Sequence, residues 1–357
     1  MNPLRKYAVP FIMVSLVVWT TCSVPPPKET DSNHGIPALR ILEGSTTFRA
    51  SFIGMPSRSQ PSSGRRISCL ASFRERVFIG YGDWNENTGP IRLVSFNPQE
   101  RRFDDGPMLA TEAIDVMRVI GGELVVPEVD HTGWFWFYSD LHRFDGTKWF
   151  SLRLPRAVHI FDAAEFQGKL YVGYQFNPRN ASDGMHRVAV FDGDRLVDAK
   201  AFEGDDVGRI WRLLPCGGRL YAFGENSSHV FDGRTWTLWS GPRTLGAPVS
   251  RAESDGRKAV VLLDSWKAYR IDDNGAVLLI DSFSEPIDVR FRDGVFYILD
   301  GGGSSLHPAV YRSDDLVAWE LSLQFESDSP PTALEVHGGG FYIGLENGEL
   351  WWLNSLK

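Results

Sequence analysis

A unit of about 44 residues recurs through the chain, and no other feature narrows the possible folds as far. Each copy holds an apolar strand introduced by a polar residue or Gly. The copies are Arg76-Val77-Phe78-Ile79-Gly80, Glu123-Leu124-Val125-Val126, Lys169-Leu170-Tyr171-Val172-Gly173 and Arg219-Leu220-Tyr221-Ala222-Phe223-Gly224. They continue with Lys258-Ala259-Val260-Val261-Leu262, Gly294-Val295-Phe296-Tyr297-Ile298 and Gly340-Phe341-Tyr342-Ile343-Gly344. The first apolar residues are separated by 47, 46, 50, 39, 36 and 46 positions. A second phrase follows several of these strands: Phe144-Asp145-Gly146 before Trp149, Phe191-Asp192-Gly193 before Leu196, and Phe231-Asp232-Gly233 before Trp236. Asp-Gly between apolar runs signals a hairpin, because Gly accepts the positive φ of a tight turn. A third phrase precedes each anchor by eight to ten residues, aligning Ile67, Ile114, Ile160, Ile210, Val249, Ile287 and Thr332.

Each period therefore reads as four strands, which is one blade of a β-propeller. The chain is expected to be all-β, a single seven-bladed β-propeller. The last repeat stops at Trp351-Trp352-Leu353 with room for only three strands, and an orphan β-like stretch, Ala38 to Ile53, precedes the first. An N-terminal strand that completes the last blade accounts for both and removes an exposed edge. With 35 Gly, 21 Pro and 12 Trp among 357 residues, the composition suits short strands and tight turns and excludes a helical bundle, a coiled coil and a disordered chain. A formal charge of −8 excludes nucleic acid as a partner, since phosphate binding needs a basic face.

Three segments follow: 1–22 as a signal sequence, 23–36 as a flexible tether, and 37–357 as the propeller. Arg5 and Lys6 lead a short apolar run, Ala8 to Trp19, which is too short to span a bilayer and fits a secretory signal. Cys22 closes that run and resembles the lipobox cysteine of bacterial lipoproteins. This implies lipidation at Cys22, export to the periplasm or cell surface, and membrane contact only through that anchor. Pro25-Pro26-Pro27 opens the tether. Cys69 and Cys216 fall in repeats one and four, so no disulfide is expected, and a zinc cage of Cys is excluded by number.

At the repeat strands and at Ser313, Asp315 and Trp319, the chain resembles bacterial β-propeller repeat proteins in the general kelch and Asp-box neighbourhood. The resemblance covers roughly residues 38 to 357 and implies a fold, not an activity.

No nucleophile elbow, phosphate-binding loop or His-Glu-x-x-His pair is present, and no cofactor or metal is expected. Candidate chemistry lies on the innermost strands, which converge on the central channel. Charges there need a partner or water. Asp115, Asp162, Asp288 and Glu335 are the candidate catalytic carboxylates, because glycoside hydrolysis needs a carboxyl pair. Arg209, Arg212, Arg251 and Arg290 are candidates for binding an anionic ligand through bidentate contacts. Mutual pairing that ties the blades together is the simpler role for the same charges. Trp134, in the run Gly133-Trp134-Phe135-Trp136-Phe137-Tyr138, and Trp84, in the loop Gly82-Asp83-Trp84-Asn85, are candidate stacking platforms for sugars. The expected function is a non-catalytic binding or scaffold module taking protein or anionic polysaccharide on one ring face. The alternative is a carbohydrate-active enzyme that uses the channel carboxylates.

Overall fold

A computed structural model describes residues 39–41, 48–132, 137–176, 185–202, 209–239, 247–273, 275, 277–303 and 307–355. The signal sequence, Cys22, the tether and Trp134 lie outside these residues. The compact unit Pro37–Lys357 consists of seven antiparallel sheets arranged as the blades of a propeller, with no α-helix among the described residues.

Blades 1 to 6 take their strands consecutively, and their innermost strands start at Ile67, Arg118, Ala157, Ile210, Val249 and Pro286. Blade 7 combines Pro331–His337, Gly340–Leu345 and Leu350–Ser355 with the N-terminal strand Phe48–Gly54, which pairs with Leu350–Ser355. Ring closure is therefore as the sequence implies. Phe48 stacks on Phe341 at 5.6 Å and Phe52 packs on Trp351 at 5.3 Å, so aromatic contacts reinforce the closing ladder. The orphan stretch also does more than expected. Leu39–Ile41 forms a separate strand that adds to Glu320–Ser327 of blade 6, with Leu39 buried among Leu323 and Phe325.

The recurring phrases have local physical causes. Asp145 accepts the backbone N–H groups of Thr147 (2.7 Å) and Lys148 (2.8 Å), and Asp232 does the same for Arg234 and Thr235. These carboxylates fasten turns, with hydrogen bonds holding the exposed Asp145 down to a pKa of about 2. Phe144 stacks on Trp149 at 4.8 Å and Phe231 on Trp236 at 5.0 Å, so the Phe-Asp-Gly phrase and the following Trp close one hairpin.

The other two phrases are the two sides of one contact. At three blades a Gly of the second strand receives an Ile at or just before the next blade's inner strand: Gly80 and Ile114, Gly173 and Ile210, and Gly344 and Ile67. A Cβ at Gly80 would collide with the Ile114 carbonyl oxygen and with Cys69 Sγ; at Gly344 it would strike Ile67 Cγ2. At Gly173 it would meet Ile210 Cγ2 at 3.2 Å. At Gly80 and Gly344 the adjacent blades thus pack without room for a methyl group. Gly80→Ala, which meets a rigid carbonyl, is expected to cost about 2 kcal/mol or more, and Gly173→Ala, which meets a side-chain tip, distinctly less. Urea unfolding of both variants checks this. Equal costs would mean that this contact does not set the blade spacing.

Candidate functional site

Six inner strands carry a bulge, at the strand's start in five of them and within Ala157–Phe166 in blade 3. It falls between Ile67 and Cys69, Ile160 and Asp162, Ile210 and Arg212, Val249 and Arg251, Pro286 and Asp288, and Pro331 and Ala333. Pro286 and Pro331 therefore occupy the places that the sequence alignment gives to Ile287 and Thr332. A one-residue slip exchanges the two faces of a strand, so the correction matters. It places Asp162, Arg212, Arg251 and Asp288 at one level of the ring, with Glu253, Arg290 and Glu335 two residues further along.

These charges form a network. Asp162 is fully buried and accepts from Arg118 Nε (3.1 Å), Arg118 Nη2 (2.9 Å), Ala163 N (2.9 Å) and Leu213 N (3.0 Å). Those four donors fill both carboxylate oxygens and bind blade 3 to blades 2 and 4. Asp288 repeats the arrangement between blades 6 and 7, accepting from Val289 N (2.9 Å) and Leu334 N (2.8 Å) beside Arg290 (3.1 Å). Glu335 pairs with Arg292 (3.0 Å) and Arg290 (3.7 Å), while Arg118 and Arg290 both reach Glu253. Arg118 also donates to Ala252 O (3.0 Å), Arg251 to Ser68 O (2.7 Å) and Arg290 to Leu70 O (3.0 Å), so guanidinium groups link non-adjacent blades. Burial opposes the charge on Arg118, yet Asp162 and Glu253 outweigh it and raise its pKa.

Four donors occupy the two oxygens of Asp162, Asp288 accepts two backbone N–H groups beside Arg290 and Arg251, and the contacts of both staple adjacent inner strands. Asp115 makes no such contact among the described residues, and burial raises its pKa against the opposing charges of Arg251, Arg212 and Arg66. Beyond the network, a cavity of about 300 Å³ opens among Met117, Arg118, Leu214, Glu253, Phe291 and Arg292. Asp162→Asn leaves Arg118 buried without its main counter-charge and is expected to destabilise the protein by about 3 kcal/mol, read from chemical unfolding. An unchanged midpoint would remove the staple role.

Arg209 is not part of this network. Near the opposite ends of the inner strands its guanidinium lies 5.3 Å from the Trp84 ring centre and 5.4 Å from that of Trp211. His159 continues the cluster, 6.0 Å from Trp84 and 5.5 Å from Phe161, which in turn lies 5.0 Å from Trp211. Two residues selected from sequence for different reasons, Trp84 and Arg209, therefore meet. His159, Trp211, Asp130 and His186 were not singled out. The His159 and Trp211 positions stood in the aligned inner-strand columns, where an aromatic reads as packing. Burial lowers the pKa of His159 to about 4, although its ring nitrogen contacts Val129 O at 2.6 Å, and burial with the Arg209 charge lowers His186.

Asp130 Oδ1 is buried without a hydrogen bond, and burial plus the neighbouring Glu112 charge raise its pKa from 3.8 to about 6. A raised carboxyl pKa favours the folded state at low pH. This contribution is complete below about pH 4 and is lost as the pH rises through 6. Asp130→Asn is therefore expected to gain about 2 kcal/mol relative to the parent between pH 4 and pH 7.5, measured by urea unfolding at both values. A difference that does not vary with pH would place the Asp130 carboxyl in water.

The fold defines a seven-bladed β-propeller. No protein-family model matches the sequence, and no curated protein matches it. Among solved structures, a streptogramin B lyase is similar with TM-score 0.60 and 13% identity, over 88% of this chain and 100% of that one. The WD40 β-propeller domain of Doa1 aligns with TM-score 0.57 and 8% identity, over 86% of this chain and 97% of that one. YCF48, solved bound to D1 peptide, aligns with TM-score 0.50 and 13% identity, over 87% and 97%. At these identities the likeness is one of fold.

Proposed function

We propose that the protein is an exported, lipid-tethered binding module that captures an anionic partner on the ring face around Arg209 and catalyses no reaction. The partner is a polysaccharide bearing carboxylates or an acidic protein segment. One observation carries this reading: Arg209 is partly exposed between two indole rings and has no ion pair among the described residues, whereas Arg118, Arg290 and Arg292 are engaged with carboxylates. A guanidinium beside two aromatic rings and without a carboxylate partner has donors for a bidentate carboxylate, while the rings offer stacking surface. The peptide bound by YCF48 supports reading such a ring as a ligand seat. Residues 1–22 support export and lipid attachment at Cys22.

Binding of polygalacturonate and polyglutamate by calorimetry tests the proposal. Arg209→Gln and Trp84→Ala are each expected to weaken the bound polymer about tenfold with an unchanged melting temperature. In the same experiment, Cys22→Ser is expected to move the protein from the membrane to the soluble fraction. Undiminished binding by both face variants overturns the assignment.

A further inference from the structure

Arg212 is a buried cation of the channel network that forms no ion pair among the described residues. Its side chain is buried, with 6% exposure. Its hydrogen bond is to a backbone oxygen, Trp211 O at 2.5 Å, and no carboxylate among the described residues forms an ion pair with it. Asp162, the nearest acidic group at its level, is already filled by Arg118 and two backbone N–H groups. Burial and the adjacent Arg251 charge lower the Arg212 pKa to about 10, so the guanidinium stays charged at neutral pH. A buried cation left in this state costs several kcal/mol unless something neutralises it.

A cavity of about 20 Å³ lies beside it, lined by Cys69, Asp115, Arg118, Arg212, Arg251 and Arg290 among others. Arg251 Nε is buried without a hydrogen bond; its ion-pair contact with Asp288 is 3.5 Å. The space suits one small ion or one water molecule. Arg212 and Arg251 supply donors toward it, and Arg118 and Arg290 add positive potential. Asp115 is the opposing group. It makes no ion pair with either arginine among the described residues, and burial raises its pKa against the opposing charges of Arg251 and Arg212.

We infer that the waist of the channel binds a single monovalent anion of halide size, held by Arg212 and Arg251. This site is separate from the seat around Arg209 and does not depend on it. The ion would add counter-charge directly between Arg212 and Arg251, locking blades 4 and 5 across the channel to blade 1, where Arg251 already grips Ser68 O.

Thermal melting at fixed ionic strength, with sodium chloride or bromide exchanged for sodium gluconate, tests this. The halides are expected to raise the midpoint by roughly 2 °C per tenfold concentration above the dissociation constant, since only the folded state binds. Gluconate is too large for the cavity. Arg212→Met is expected to abolish the halide dependence. Should that variant fail to fold, Asp115→Asn decides instead, because removing the opposing carboxyl must leave the dependence intact or strengthen it. Crystals grown in bromide are expected to show an anomalous peak on the guanidinium nitrogens of Arg212 and Arg251. A midpoint indifferent to halide, or a water bridging Asp115 and Arg212 in place of that peak, overturns the inference.

Discussion

The structure depends on how closely each blade's inner strand can approach its neighbour. An Ile of one blade sits on a Gly of the preceding blade at Gly80 and Ile114, Gly173 and Ile210, and Gly344 and Ile67, leaving no room for a methyl group at two of the three. That spacing lets a carboxylate on one inner strand reach the backbone N–H of the next, as Asp162 reaches Leu213 and Asp288 reaches Leu334. The same approach narrows the channel until guanidinium groups cross it, from Arg251 to Ser68 and from Arg290 to Leu70. Close packing therefore comes first, and the ionic network follows from it.

Burying so many charges is expensive, and apolar side chains of equal volume would often serve stability as well or better. What ion pairs add is directionality. Asp162 has four donors in fixed directions, which specify how blades 2, 3 and 4 sit relative to one another more narrowly than hydrophobic contact does. Hydrophobic clusters shared by adjacent blades provide the bulk of the burial. Val260 and Leu262 of blade 5, for example, pack with Val289 and Ile298 of blade 6. The two levels divide the work: apolar clusters hold the sheets face to face, and the polar core fixes their register. Arg209 lies outside both, beside two indole rings and without an ion pair among the described residues, which is why the ligand face is proposed there.

Much of the fold was legible because its signals are local. Strand alternation, Phe-Asp-Gly turns with a following Trp, and a period near 44 each arise from contacts within one blade, so they recur in the chain itself. Closure by an N-terminal strand could be read from a missing strand at one end and a spare one at the other. The second N-terminal strand, Leu39–Ile41 on blade 6, left no such trace, because three residues carry too little pattern to announce a pairing made with residues 325–327.

The site was legible only in part. Sequence marked Arg212, Arg251, Asp162 and Asp288 as charges in strands that should be apolar, but the bulges at 286–288 and 331–333 shift which residues share a level, and a bulge is set by tertiary strain. That Trp84 and Arg209 would meet was invisible, since 125 positions separate residues from two different blades. By itself, the sequence determined the strand pattern, the blade count and the closure of the ring, since each rests on short-range periodicity. Tertiary structure alone decided which charges neutralise one another and that Arg209 meets two indole rings instead of a carboxylate among the described residues, because Coulomb energy and burial depend on distances that only the closed ring sets.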